Sequence, residues 1–209
     1  RVEYHVARDA VRYREALHRL PPFLDRMRPA LVQYQAGMDP FEGGCEYAAI
    51  THGHPTAWLA AGAFATIVAE LLQGRPLASS VDAAVERLRR HPKGTETRRA
   101  IDAAVEAAGR GGPEAERLET LGEGWVAEEA LAIGLYCALV APDLCGGLRL
   151  AVNHGGDSDS TGSIAGNLLG AMHGVDAIPE DLLAGLEARD FIERIASRSD
   201  AERCNLRHA

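Results

Sequence analysis

Asp157, Asp159, Ser160 and Thr161 place two carboxylates and two hydroxyls within five positions. In a loop, a one-residue gap lets both carboxylates turn toward one ion. The hydroxyls add two further oxygens, and no soft donor stands among them. Such a set suits Mg²⁺, Mn²⁺ or Ca²⁺. The stretch leads into a helix, whose first N–H groups and dipole favour negative charge. The plain alternative is that these residues only cap that helix, since Ser, Thr and Asp are the usual caps.

Two well-known metal patterns share these letters and do not fit. A calcium-binding EF-hand loop needs an acid at its twelfth position, and counting from Asp157 that position is Leu168. The haloacid-dehalogenase phosphatases carry Asp-x-Asp-x-Thr directly after a buried strand, with a long α/β region following. Here Gly155-Gly156 precede the motif, and 48 residues (209 − 161) follow Thr161.

The elements that must position the loop read as helices almost throughout. Strand-like alternation holds nowhere for long. Residues 8–19 predict a basic-faced helix stopped at Pro21-Pro22, whereas 27–43 give no regular pattern. Pro55 sits where a helix can begin, 57–72 are apolar enough for a core helix, and Gly74 with Pro76 stops it. Ser80 is the expected cap of 81–90 and Thr95 that of 96–108. A glycine-rich loop follows at 109–113, then a short helix over 114–121 and a strong one over 125–140. Pro142 and Pro179 open short helices, and 190–198 form the last. After the acidic loop, Gly162, Gly166, Gly170 and Gly174 recur every fourth position. On a helix they form one ridge. Each interior glycine costs about 1 kcal/mol relative to alanine, so the ridge predicts close backbone approach to neighbouring helices. Trp58 and Trp125 fit a core, and Glu128 and Glu129 fit a helix N-terminus.

Bulk properties bound the function. The 209 residues are 46% hydrophobic, 25% charged and only 5% aromatic, a balance of helices packed through small side chains. A formal charge of −8 argues against nonspecific nucleic-acid binding. Cys45, Cys137, Cys145 and Cys204 show neither CxxC pairing nor metal-ligand spacing, and read as reduced thiols of a cytoplasmic protein. No apolar run reaches membrane-spanning length and no signal peptide is visible.

The stretch GGDSDSTGSIAGNLLGAMHG resembles the C-terminal metal motif of the ADP-ribosylglycohydrolases. AAITHGHPTAWLAAGAFATIVAELLQG and GEGWVAEEALAIGLYCAL resemble two further segments of that family, in the same order. The likeness runs from about Cys45 to Asp190. It divides the chain into 1–44, without family likeness, and a helical domain over 45–209. The resemblance implies an all-α, orthogonal multi-helix bundle holding two Mg²⁺ or Mn²⁺ ions. It implies a hydrolase that removes ADP-ribose from a modified protein side chain, arginine among the candidates. Asp157 and Asp159 would be metal ligands and catalytic carboxylates, with Ser160 and Thr161 supplying hydroxyl oxygen. His52, Gly155 and Gly156 would contact the ADP-ribose, and His54 less so.

One part of the family pattern is missing. The Thr-Asp-Asp-Thr motif that supplies the remaining ligands occurs nowhere in these 209 residues, and residue 1 is Arg rather than Met. Three accounts are open: the sequence is part of a longer protein, it folds around a replaced N-terminus without catalysis, or a second chain completes the site. The intact C-terminal motif favours the first. The alternative function is a non-catalytic ADP-ribose-binding or interaction domain on the same bundle.

Overall fold

A computed structural model describes residues 39–113 and 115–206, with side chains through 197. The helix expected over 8–19 lies outside the described residues. Those described form α-helices and one 3-10 turn, with no strand among them. The all-α expectation holds.

Helix α1 (Pro40–Ala49) falls partly in a stretch that gave no pattern. Its start is nonetheless conventional. The Asp39 carboxylate accepts hydrogen bonds from the Phe41 and Glu42 N–H groups, and Pro40 occupies the first position. Arg87 pins that end, bonding Asp39 at 2.8 Å and Glu42 at 3.0 Å above the Phe41 ring. Helix α2 (Pro55–Leu71) is capped by the His54 ring and is the expected core helix. Helix α3 (Leu77–Arg90) begins four residues before its expected start, because Ser80 is not its cap. The Ser80 side chain is buried and its hydroxyl donates back to the Pro76 carbonyl at 3.0 Å. Thr95 likewise is not a cap but the first residue of α4 (Thr95–Gly109), behind Gly94.

After the short α5 (Ala115–Glu119) comes α6 (Ala127–Val140), whose residues from Ala130 to Ala138 are all buried. A helix apolar all round belongs inside a bundle. Helix α7 (Leu144–Val152), capped by Asp143, leads through the acidic loop into α8 (Ser158–His173). Helices α9 (Glu180–Ala184) and α10 (Arg189–Leu206) complete the described residues.

Three helices carry the architecture. Helices α2, α6 and α8 each pack against the other two. Leu59 and Ile67 of α2, Ile133 and Leu135 of α6, and Leu168 and Leu169 of α8 are completely buried. Each such side chain contributes roughly 1.5–3 kcal/mol relative to exposure.

The glycine ridge of α8 is only half what its spacing predicts. Gly162 and Gly166 do face α7, where an added Cβ would meet Val152 at 2.7 Å and Leu148 at 3.3 Å. Gly170 has nothing within 4 Å, and Gly174 lies beyond the helix as its C-cap. The tightest approach to α6 comes from the other partner. A Cβ on Gly134 would stand 2.5 Å from Ile164 and 3.1 Å from the Ala165 nitrogen.

Two predictions follow from this packing. Gly134→Ala pushes α6 and α8 apart and lowers stability by about 1–2 kcal/mol. Gly170→Ala meets open space and raises it by up to ~1 kcal/mol through helix propensity. Urea unfolding of the two variants measures both signs. Cys45 and Cys137 are buried free thiols, and burial raises their pKa to about 11 and about 12. At pH 8 about one in a thousand or fewer is thiolate, the reactive form. Native alkylation followed by peptide mass mapping should label the half-buried Cys145 well ahead of both.

Candidate functional site

The loop at 153–157 is held by its own polar groups. The Gly156 N–H donates to His154 Nδ1 at 3.1 Å, so the ring proton sits on Nε2. That nitrogen lies 2.8 Å from the Thr161 hydroxyl oxygen, which in turn donates to the Ala151 carbonyl at 2.8 Å. Asn153 closes the other end by donating to the Arg149 carbonyl at 2.6 Å. Thr161 is completely buried. Its hydroxyl ties the end of α7 to the start of α8.

A second loop, 122–126, lies against the first. The Asp157 N–H donates to the Glu123 carbonyl at 2.8 Å. The backbones come so close that a Cβ on Gly156 would overlap the Glu123 carbonyl oxygen. Gly122 and Gly124 have φ of 109° and 81°, values that L side chains rarely adopt. The Glu129 carboxylate, from the first turn of α6, accepts both the Glu123 and Gly124 N–H groups at 3.1 Å.

Between these loops and α2 opens a cavity of about 770 Å³. The first turns of α2, α6 and α8 all line it, through His54, Thr56 and Ala57, Val126–Glu128, and Asp157 with Ser160. Ala60, Ala61, Phe64, Leu131 and Ile164 form an apolar floor. Trp125 stands at the cavity 66% exposed, its indole N–H donating to the Glu123 carboxylate at 3.0 Å.

Asp157 occupies the N-cap position of α8, yet its side chain makes no capping hydrogen bond. Its carboxyl is held below the usual range, first by hydrogen bonding with the Asp159 side chain and then with Ser160. His52 lines the same cavity, its Nδ1 lying 2.8 Å from the Thr51 hydroxyl. His54 Nδ1 lies 2.7 Å from the Thr56 hydroxyl and accepts the Thr56 N–H, which leaves Nε2 free for another partner.

The structure thus brings Asp157, Ser160, His52 and His54 to one cavity. It does not bring Asp159, Gly155, Gly156 or Thr161 to the lining. Asp159 and Gly155 are exposed, and Gly156 serves the loop–loop contact. Among the described residues no three His, Cys, Asp or Glu side chains gather in a metal-ligand group. Trp125 departs from the core placement expected of it, because its helix starts two residues later and leaves the ring on the loop. Trp58 does pack on the core, edge-on to His91. Sequence reasoning also missed that Glu128 and Glu129 part company. Glu129 braces the loop, whereas Glu128 lines the cavity with a buried Oε2 that has no hydrogen-bond partner. The two glycines of the Gly-Glu-Gly-Trp run were the available signal.

A family model described as ADP-ribosylglycohydrolase matches residues 24–208, beginning ahead of the segment in which the sequence resemblance was seen. The ADP-ribosyl-[dinitrogen reductase] glycohydrolase of Rhodospirillum rubrum is 53% identical over 38 residues, 18% of this chain and 13% of that protein. An uncharacterized protein of Archaeoglobus fulgidus is 36% identical over 81 residues, 39% of this chain and 26% of its own. The matches span about a quarter and about an eighth of the lengths of these curated relatives.

His154→Ala removes the acceptor of the Gly156 N–H and a partner of the buried Thr161 hydroxyl. It should lower stability by about 1–3 kcal/mol, the range for orphaning buried polar groups. Denaturant unfolding with tryptophan fluorescence checks it.

Proposed function

The chain belongs to the ADP-ribosylglycohydrolase family, and from that membership we propose that it serves to hydrolyse the bond between ADP-ribose and a modified protein side chain, arginine being the foremost candidate. The observation that carries the reading is the convergence of three helix N-termini on one cavity that also holds Asp157, Ser160 and His52. In a chain of formal charge −8, oriented N–H groups and helix dipoles supply the local positive field that a diphosphate needs. The cavity volume is in the range of small-ligand sites.

The parts of ADP-ribose suit different walls. The diphosphate suits the first turns of α2 and α6, with His52 and His54 as N–H donors. The base suits the exposed face of Trp125. The terminal ribose suits the carboxylate end, with Asp157 accepting from its hydroxyls. There the C1–N bond to the side chain breaks through an oxocarbenium-like state, whose positive charge a nearby carboxylate stabilises. Water adds its oxygen to C1, its proton leaves with the departing nitrogen, and free ADP-ribose and the unmodified side chain result.

A hard divalent cation, Mg²⁺ or Mn²⁺, fits the donors at this end. Asp157 makes no side-chain capping bond, Asp159 and Ser160 help to keep its carboxylate charged, and Glu128 contributes a buried carboxylate oxygen with no partner. Asp157, Asp159 and Ser160 would hold the ion, and Thr161 would have to give up its hydrogen bonds to join them. Such an ion would supply Lewis-acid polarisation of the ribose oxygens held beside Asp157.

Calorimetric titration of the chain with ADP-ribose in Mg²⁺ should show binding that Asp157→Ala weakens at least tenfold and that EDTA weakens likewise. Release of ADP-ribose from an arginine-ADP-ribosylated protein should fall in parallel. Binding and release unchanged in Asp157→Ala would overturn the assignment. Tight binding with no release under any metal would turn the reading to an ADP-ribose-binding domain.

A further inference from the structure

We propose that Glu129 is a positioning residue of this site, acting on Asp157 through the loop at 122–126. The inference rests on the reading of Asp157 as a functional carboxylate. Two consecutive backbone N–H groups, of Glu123 and Gly124, both donate to Glu129 Oε2 at 3.1 Å. That fixes the Glu123 peptide, whose carbonyl accepts the Asp157 N–H at 2.8 Å. The chain of contacts therefore runs from the first turn of α6, through one loop, to the residue that starts α8.

The packing around this chain leaves it no slack. An added Cβ on Gly122 would meet Glu129 Oε2 at 2.6 Å, one on Gly124 would meet the Thr161 methyl at 2.9 Å, and one on Gly156 would overlap the Glu123 oxygen. Gly156 removes the atom that would hold the two loops apart, Gly122 the one that would displace the Glu129 carboxylate, and Gly124 the one that would press on the first turn of α8. Shift the Glu123 carbonyl and Asp157 loses the bond that sets its backbone, so its carboxylate swings relative to Ser160. The same peptide unit carries the Glu123 side chain that holds the Trp125 indole. Glu129 thus sets the carboxylate end and the aromatic rim of the cavity together. Its neighbour Glu128 has no such bond on its buried Oε2.

A plainer role is available, because a carboxylate in the first turn of α6 also stabilises the helix through its dipole. Three variants separate the two roles. Glu129→Gln keeps the length and a carbonyl oxygen that accepts both N–H groups, but loses the charge. Glu129→Asp keeps the charge and loses one methylene of reach. Glu129→Ala loses both. The first readout is amide hydrogen exchange at Asp157 and Gly124, followed by NMR. The second is calorimetric affinity for ADP-ribose in Mg²⁺, with Asp157→Ala alongside.

The positioning role predicts that Glu129→Gln behaves like the parent. Glu129→Asp and Glu129→Ala should exchange both amides tens of times faster and bind ADP-ribose about 10–100-fold more weakly, as is usual for supports of a binding shell. The dipole role predicts the reverse order, with Asp like the parent and Gln like Ala. That order, or equal behaviour of all three, overturns the proposal. If Glu129→Ala fails to fold, the Gln and Asp variants decide between the two orders. Should ADP-ribose fail to bind the parent chain, the functional reading falls, while the exchange order still decides the role of Glu129.

Discussion

One backbone hydrogen bond, from the Asp157 N–H to the Glu123 carbonyl, joins two loops that are far apart in sequence and opens three helices on a common space. It depends on the missing side chain of Gly156, because any Cβ there would occupy the position of the carbonyl oxygen. Helix α8 starts at that bond and α6 starts just after the loop that accepts it. Their mutual packing through Gly134 and Ile164 continues the same close approach about two turns deeper. The site and the core are therefore one construction, and neither loop has freedom to adjust alone.

Within that frame, carboxylates of similar chemistry are put to different uses by geometry. Asp143 caps its helix in the ordinary way, accepting the Gly146 N–H at 2.7 Å. Asp157 occupies the corresponding place on the next helix and is released from that duty. Glu129 spends its charge on two backbone amides, while Glu128 keeps a sealed oxygen unmatched. Unmatched buried oxygens are expensive. Three buried side-chain oxygens among the described residues lack a hydrogen-bond partner, on Glu70, Thr97 and Glu128, and only that of Glu128 belongs to a residue lining the cavity.

Local signals made the sequence legible where the chain acts locally. Pro55, Pro142 and the long apolar runs announced α2, α6 and α7, whereas the Asp-Ser-Asp-Ser-Thr run, expected as a loop, is helical from Ser158 onward with only Asp157 before the helix. Legibility failed where a distant partner decides. Helix α1 contains Gly43-Gly44 and has weak propensity, but Gly44 lets it lie on Ala61 of α2. Ser80 has the chemistry of a cap and bonds instead within its own helix, because Leu77 is drawn into the core ahead of it. Trp125 has the size of a core residue and sits on a loop whose path is dictated by Glu129. The regular spacing of the α8 glycines suggested one function for all four, yet only the two facing α7 are needed for contact.

The meeting of three helix N-termini also decides how a ligand arrives. With 17, 14 and 16 residues, α2, α6 and α8 carry their C-terminal carbonyls roughly 20–26 Å from their first turns. That is two or more Debye lengths at physiological salt, about 8 Å each. An approaching anion is repelled by the acidic surface at a distance and feels the oriented amides only near the mouth. Added salt screens the long-range repulsion first and leaves the short-range attraction in place. Capture by such a cavity speeds up with ionic strength at the low end of the scale, the opposite of the slowing seen at a basic docking face.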